Sequence, residues 1–80
     1  MGRSDKLFVW PNPVCDFFEI LGEDRSEIIQ VRLYNLAGQL MPLGQNTQGY
    51  YLSSSLPAGL YVVQVEMPNE VHRLKILKQD

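Results

Sequence analysis

The sequence predicts a small all-β domain, and three observations support this. Its 80 residues suffice for one domain with a single core. Short apolar runs recur about every ten residues with Gly, Pro, Asn or Ser between them, which is typical of strands and turns. The one candidate helix start, residues 23–27, leads into the β-branched run Ile28-Ile29-Gln30-Val31. We therefore expect about seven short strands in an immunoglobulin-like antiparallel β-sandwich.

The first two strands are predicted on either side of a proline-rich break. The first covers Leu7 to Trp10 and stops at Pro11-Asn12-Pro13. Each proline lacks an N–H and restricts the residue before it, so this segment is an edge or a crossover rather than a central strand. The second strand covers Asp16 to Leu21, with Phe18 and Ile20 on one face.

The middle of the chain predicts a third strand and a hairpin. The strand begins at Ile28 or Ile29 and ends at Asn35, with alternating apolar and polar residues. Gly38 supplies the positive φ of a short turn into Gln39-Leu40-Met41. Residues 44–49 are polar and predict a loop, followed by a short strand at Tyr50-Tyr51-Leu52.

The last part of the chain predicts a turn and two longer strands. Leu56-Pro57-Ala58-Gly59 fits a type I turn, with Pro at the second position and Gly at the fourth. One strand covers Leu60 to Met67, and after Pro68-Asn69 another covers Val71 to Lys78. The last strand is predicted to direct some side chains inward, namely Leu74 and Ile76, and others into water, namely His72, Arg73, Lys75 and Lys78.

Composition excludes several classes of protein. The formal net charge of −2, with both signs mixed along the chain, argues against a nucleic-acid binder and against disorder. Cys15 is the only cysteine, so an internal disulfide is impossible, and we expect it to be half-buried. No apolar segment approaches the roughly 20 residues that a membrane-spanning helix needs. We expect residues 1–6 to be a linker or an expression remnant, and residues 7–80 to form the domain.

The residues that carry chemistry are few and scattered, so we predict no enzyme, no cofactor and no metal site. His72 is the only histidine, and the serines at 53–55 lack the sequence context of a nucleophile. Glu23, Asp24 and Glu27 are a weak calcium candidate, for which a solvated loop is the better interpretation. Tyr50 and Tyr51 are candidates for a sugar-stacking platform, although core packing explains most aromatic positions.

Four motifs together resemble the C-terminal sorting domain of cargo proteins of the type IX (Por) secretion system. The resemblance covers Leu7 to Lys78. The motifs, in order, are Val9-Trp10-Pro11-Asn12-Pro13-Val14; Leu33-Tyr34-Asn35-Leu36-Ala37-Gly38-Gln39-Leu40; Leu52-Ser53 with Leu56-Pro57-Ala58-Gly59-Leu60-Tyr61-Val62-Val63-Gln64-Val65; and Leu74-Lys75-Ile76-Leu77-Lys78.

The resemblance implies a function as a secretion signal. It implies that the domain directs an attached cargo protein from the periplasm of a Gram-negative bacterium to the cell surface or the medium. The implied partners are the cargo domain, an outer-membrane translocon and, for many cargo proteins, a surface peptidase that removes the tag. The carried-over motif positions are Pro11, Asn12, Pro13, Gly38, Pro57, Gly59, Tyr61, Lys75 and Lys78. The sequence departs from the family at Trp10, at Cys15 and at Gln39, where a basic residue is common.

We predict that the last strand carries recognition, through Lys75, Ile76, Leu77 and Lys78. An edge strand has unpaired N–H and C=O groups to which a partner can add a strand, and lysines on it attract an acidic receptor. The same edge allows strand-mediated dimers. Two alternatives stay open. One is an accessory module that binds carbohydrate or protein, which a surface row of aromatics together with ligand-dependent stabilisation would distinguish; the other is a structural spacer.

Overall fold

The computed structural model describes residues 7–22, 27–46 and 50–79. Its strands form two four-stranded antiparallel sheets, in the order β1-β2-β6-β5 and β4-β3-β7-β8. The strands are β1 (Leu7–Trp10), β2 (Phe17–Gly22), β3 (Gln30–Asn35), β4 (Leu40–Met41), β5 (Gly44–Gln45), β6 (Tyr51–Leu52), β7 (Gly59–Met67) and β8 (Glu70–Lys78). The all-β, sandwich-like fold is thereby confirmed. Residues 1–6, predicted as a linker, lie outside the described residues.

The core lies between the two sheets and follows the alternation of the strands. In β7, Tyr61, Val63, Val65 and Met67 point inward, and each is at most 7% exposed. Phe18 and Ile20 of β2 and Leu33 of β3 meet them from both sheets, with Val14 and Leu56 from the connections. Because each such side chain contributes about 1.5–3 kcal/mol when it leaves water, this layer stabilises the fold.

Two motif turns are fixed by side chains rather than by glycine alone. The Asn35 Oδ1 accepts the backbone N–H groups of Ala37 and Gln39, both at 2.9 Å, and closes the loop in which Gly38 has a φ of 83°. Gln39 is held by the same residue, since Asn35 Nδ2 donates to Gln39 Oε1 at 2.9 Å. The Tyr61 hydroxyl donates to the Pro57 carbonyl at 2.6 Å and fixes the entry into β7.

The structure corrects four details of the sequence-based predictions. Gly44–Gln45, predicted as loop, pairs with β6 and gives the described chain an eighth strand. Ile29, included in the predicted third strand, lies before β3 and is 66% exposed. A hydrogen-bonded turn that was not predicted lies at Ser53–Leu56, directly before the predicted turn, where Leu56 N donates to Ser53 O at 3.1 Å. Cys15 is exposed, because it lies in the connection between β1 and β2 rather than within a strand.

Candidate functional site

The four residues predicted to carry recognition lie on two opposite faces of β8. Lys75 is exposed and Leu77 is 37% exposed, so both face outward. Ile76 is 1% exposed and belongs to the core, and Lys78 is only 3% exposed. The prediction that Lys75 and Lys78 both project into water was therefore wrong. Side chains alternate along a strand, so two residues three positions apart lie on opposite faces.

His72 is the second correction on this strand. It was predicted to face water, yet it is 7% exposed, because it shares the inward register of Leu74 and Ile76. Its Nε2 lies 3.2 Å from the Glu70 Oε1 at the start of the strand. The Lys78 Nζ likewise has a partner, since it donates to the Gln79 carbonyl at 3.0 Å. Both residues are thus engaged inside the domain and do not form part of an outward recognition surface.

The outer edge of β8 is covered at its C-terminal half by residues Asn12–Val14, which we call the clasp. Asn12 acts as a substitute peptide group: its Nδ2 donates to the Lys75 carbonyl at 3.2 Å, and its Oδ1 accepts the Leu77 N–H at 3.1 Å. Val14 continues as a parallel bridge, donating to Leu77 O at 2.7 Å and accepting from Gln79 N at 2.8 Å. These four hydrogen bonds occupy the edge from residue 75 to residue 79.

The N-terminal half of the same edge is open. The backbone groups of Leu77 bond the clasp rather than β7, so the odd-numbered residues of β8 direct their N–H and C=O groups to the outer edge. By this alternation the backbone groups of Val71 and Arg73 face the same way. Among the described residues none bonds them. A short stretch of β8 is therefore available to another strand.

A shallow groove of about 360 Å³ lies on the outward face of the second sheet. Tyr34 of β3 and Val62 of β7 are cross-strand neighbours in it, and the turn that Asn35 holds forms one side. Arg73 of β8 lies at the other side, opposite Gln64 of β7. The groove thus has apolar and polar lining together, as ligand-binding sites commonly do.

The cations on this face differ in how they are engaged. The Arg32 Nη1 lies 3.4 Å from Glu66 Oε1, and its Nη2 donates to Gln30 at 3.0 Å. Arg73 and Lys75, both exposed, have no ion-pair partner within the described ranges. These two side chains alternate with buried ones, so they lie side by side along the outward face beside the groove and the open edge. This cluster favours an acidic partner.

The remaining motif residues position this site rather than line it. Pro11 and Pro13 flank Asn12, whose amide bonds β8. The Tyr61 hydroxyl donates a hydrogen bond to the Pro57 carbonyl. Gly59, with a φ of 149°, begins β7 in a conformation that other residues rarely adopt. Ser53 of the Leu-Ser motif is fully buried; its hydroxyl donates to the Cys15 carbonyl at 3.1 Å and its N–H donates to Asp16 O at 2.8 Å.

Other candidate sites find less support. Of the calcium candidates, Glu23 and Asp24 lie outside the described residues, and no group of three potential metal ligands occurs within them. Tyr50 and Tyr51 do not form a common platform. The Tyr51 ring stacks on buried Phe18 at 5.5 Å, and burial raises the pKa of its hydroxyl, whereas the Tyr50 ring contacts Phe17.

Two features of the site escaped sequence reasoning. Asn12 was identified only as a motif residue, since a contact across more than 60 positions leaves no local signal. Arg73 was predicted to face water but was not assigned to a site, although its odd-numbered position, shared with Lys75, already put both on one face.

Among the described residues, none forms a helix of the length and apolarity that crossing a membrane takes.

Comparison with known proteins agrees with this architecture. No curated protein matches the chain. The model of one family, described as the secretion system C-terminal sorting domain, matches residues 8–79, from β1 to the residue after β8. That range takes in the clasp, the groove and the open edge. The chain therefore belongs to the family of type IX secretion C-terminal sorting domains.

Proposed function

We propose that this domain directs an attached cargo protein through the outer membrane by the type IX secretion system, and that the translocon recognises it at β8. Membership in the family implies export to the cell surface or secretion in a Gram-negative bacterium. The finer proposal depends on one observation: Arg73 and Lys75 are exposed, and among the described residues neither they nor the adjoining strand edge at Val71 and Arg73 has a partner. We propose no catalytic role for the domain.

Three properties of this surface support recognition by an acidic partner. The chain as a whole is acidic, with a formal net charge of −2, whereas the exposed pair Arg73 and Lys75 gives this surface a local positive charge. The open edge offers main-chain hydrogen bonds, which give affinity in strand addition. The groove beside it accepts an apolar side chain, which gives selectivity.

The experiment is an export assay with point variants. Residues 7–80 are fused behind a signal peptide and a fluorescent reporter, and expressed in a host with a type IX system and in a translocon-null strain. We expect reporter at the surface or in the medium only in the competent host. Exchanging both cations, as R73Q/K75Q, should reduce export at least tenfold and leave periplasmic reporter folded. Because Arg32 is engaged by Glu66, R32Q serves as the matched control and should export normally.

Deleting residues 75–80 is a poorer test of recognition than these point variants. The deletion removes Ile76 from the core and the partners of the clasp, so the domain would lose its fold together with any recognition site. Normal export of R73Q/K75Q would overturn β8 as the recognised surface. Equal retention of the unmodified fusion in both hosts would overturn the sorting function itself.

We further propose that a surface peptidase, where it acts on this cargo, cuts at or before residue 6. The described domain begins with Leu7, which is 3% exposed and packs in the core, so cleavage within β1 would require unfolding. The mass of the released reporter in the same assay measures the position. A cut inside β1 would contradict this proposal and leave the sorting function unaffected.

A further inference from the structure

The outward face of the first sheet carries several exposed aromatic side chains on neighbouring strands, which we call the aromatic row. Phe8 and Trp10 alternate with buried residues on β1 and are 51% and 57% exposed. Phe17, 46% exposed, lies on β2 two positions before Glu19, the partner of Trp10. Such diagonal neighbours are about 7–8 Å apart, within reach of aromatic side chains. The Tyr50 ring then extends the row, with its centroid 5.2 Å from that of Phe17 and a tilt of 53°.

This row also has polar groups that are free to bind. The Trp10 indole N–H and the Tyr50 hydroxyl have no hydrogen-bond partner within the described ranges. The Glu19 carboxylate lies directly across from Trp10 and forms no ion pair with any cation in the part of the chain that the structure describes. Donors and acceptors thus accompany the apolar ring faces, an arrangement that suits a ligand with both hydroxyl groups and apolar C–H surfaces.

The charges of the first sheet restrict the ligand. None of its strands, β1, β2, β5 or β6, contains a lysine or arginine, and Glu19 is its one formally charged residue. Anionic lipids and single-stranded nucleic acids are bound through cations, so both are disfavoured. A symmetric pairing of two copies through this face would place the same patch against itself and bring one Glu19 towards the other, which is unfavourable.

We propose that Phe8, Trp10 and Phe17, with Tyr50, form a binding site for a neutral β-linked polysaccharide. Its sugar rings stack on the row, and its hydroxyl groups bond Trp10, Tyr50 and Glu19. A flat, extended chain matches the row, because side chains two positions apart on a strand are separated by about 6.8 Å and the row continues onto the next strand. The site lies on the opposite sheet from β8, so it does not rest on the proposed sorting role.

The test uses the protein's single tryptophan. Since Trp10 is in the row, its fluorescence reports contact there directly. Titration with soluble hydroxyethyl cellulose or xylan should shift or quench the emission with saturation, whereas an α-linked glucan of similar mass should not. In affinity electrophoresis, W10A and F17A should each weaken retardation about tenfold, the loss expected when a stacking ring is removed. L60A, an exposed leucine on the other sheet, is the matched control.

The outcomes separate the competing occupants. Circular dichroism should show the same unfolding temperature for W10A and the unmodified domain, since the ring is exposed. No response to any β-linked polysaccharide overturns the proposal. So does a Trp10 emission shift that appears only with anionic lipid vesicles or that rises with protein concentration, because these would indicate a membrane or a second copy of the chain on the same face.

Discussion

The two halves of the outer edge of β8 differ in whether their backbone groups are hydrogen-bonded. From residue 75 onward its backbone groups are bonded by Asn12 and Val14, which belong to a segment more than 60 residues earlier. At Val71 and Arg73 the same edge has no partner among the described residues. A sheet edge is a liability for uncontrolled pairing, and proteins limit it by covering it or by placing charges on it. Here each half shows one of these devices.

The difference shows how a small domain can keep an edge for a partner without offering it to every strand. The clasp shortens the available edge to a few residues, and the exposed cations on it repel strands that carry positive charge. A partner with a short strand that carries acidic residues fits the remaining edge and is attracted by these cations. The following predictions test this division, from the largest expected effect to the smallest.

The inward side chains of β8 hold the strand against the core. Neighbouring residues of the covered half should therefore differ sharply in how much they contribute to the free energy of unfolding. Ile76 is 1% exposed, and I76A should lower the free energy of unfolding by about 2–5 kcal/mol, measured by urea denaturation. L77A, next to it but outward, should lose about 1 kcal/mol or less. I76V, expected to lose about 0.5–1.5 kcal/mol, provides a measurable value if I76A does not fold. Equal losses for Ile76 and Leu77 would contradict the inward and outward assignment.

Removing the clasp should make the two halves alike. N12A loses the bonds to Lys75 O and Leu77 N, which at an exposed position together contribute about 1–2 kcal/mol. We expect that loss in urea denaturation, and faster hydrogen exchange of the Leu77 amide. N69A, an exposed asparagine in the β7–β8 turn, is the matched control and should change stability by about 0.5 kcal/mol or less. If N12A behaves like N69A, the clasp does not hold the edge.

How much of this could be predicted from the sequence depends on how local the signal is. Strand β1 and, to within one residue, the bounds of β7 were predicted correctly, because apolar runs and turn residues are local patterns. The error at Lys78 came from expecting a charged residue to face water. The alternation that placed Ile76 inside also places Lys78 inside, and a lysine stem can be buried if its ammonium group finds a partner, here the Gln79 carbonyl.

The candidate site was harder to predict because its parts are distant in sequence. Part of the edge stays open because the clasp bonds β8 only from Lys75 onward. The clasp itself depends on the Asn12 side-chain amide, which replaces a peptide group more than 60 positions away in the sequence. The aromatic row joins β1, β2 and the residue before β6, whose register no local pattern fixes. Tyr50 and Tyr51 are adjacent on a predicted strand, so alternation puts them on opposite faces. Strand pairing then shows which is which, because Tyr51 pairs with buried Phe18 and the Tyr50 ring contacts exposed Phe17.

The two halves should also differ in hydrogen exchange without any mutation. The Leu77 and Arg73 amides point to the same edge, but within the described ranges only the Leu77 amide is bonded there, by Asn12. We expect the Leu77 amide to exchange at least about tenfold more slowly than the Arg73 amide after correction for sequence, which corresponds to about 1.4 kcal/mol in local opening. Nuclear magnetic resonance resolves both. Equal protection would mean that something covers the Arg73 edge as well, such as a second copy of the chain, and dilution would then expose it.

The same inward and outward rule predicts the smallest effect, at Tyr51 of the first sheet. Burial raises the pKa of the Tyr51 hydroxyl above its ordinary value of about 10, so the folded state holds this proton more tightly than the unfolded state. Its contribution to stability is present below the unfolded pKa and is lost as the pH rises through the folded pKa. Above about pH 10 the unfolding free energy should therefore fall less steeply in Y51F than in the unmodified domain. An unchanged slope in Y51F would show that this hydroxyl is solvated in the folded state, and that the first sheet does not separate its two adjacent tyrosines as β8 separates Lys75 from Lys78.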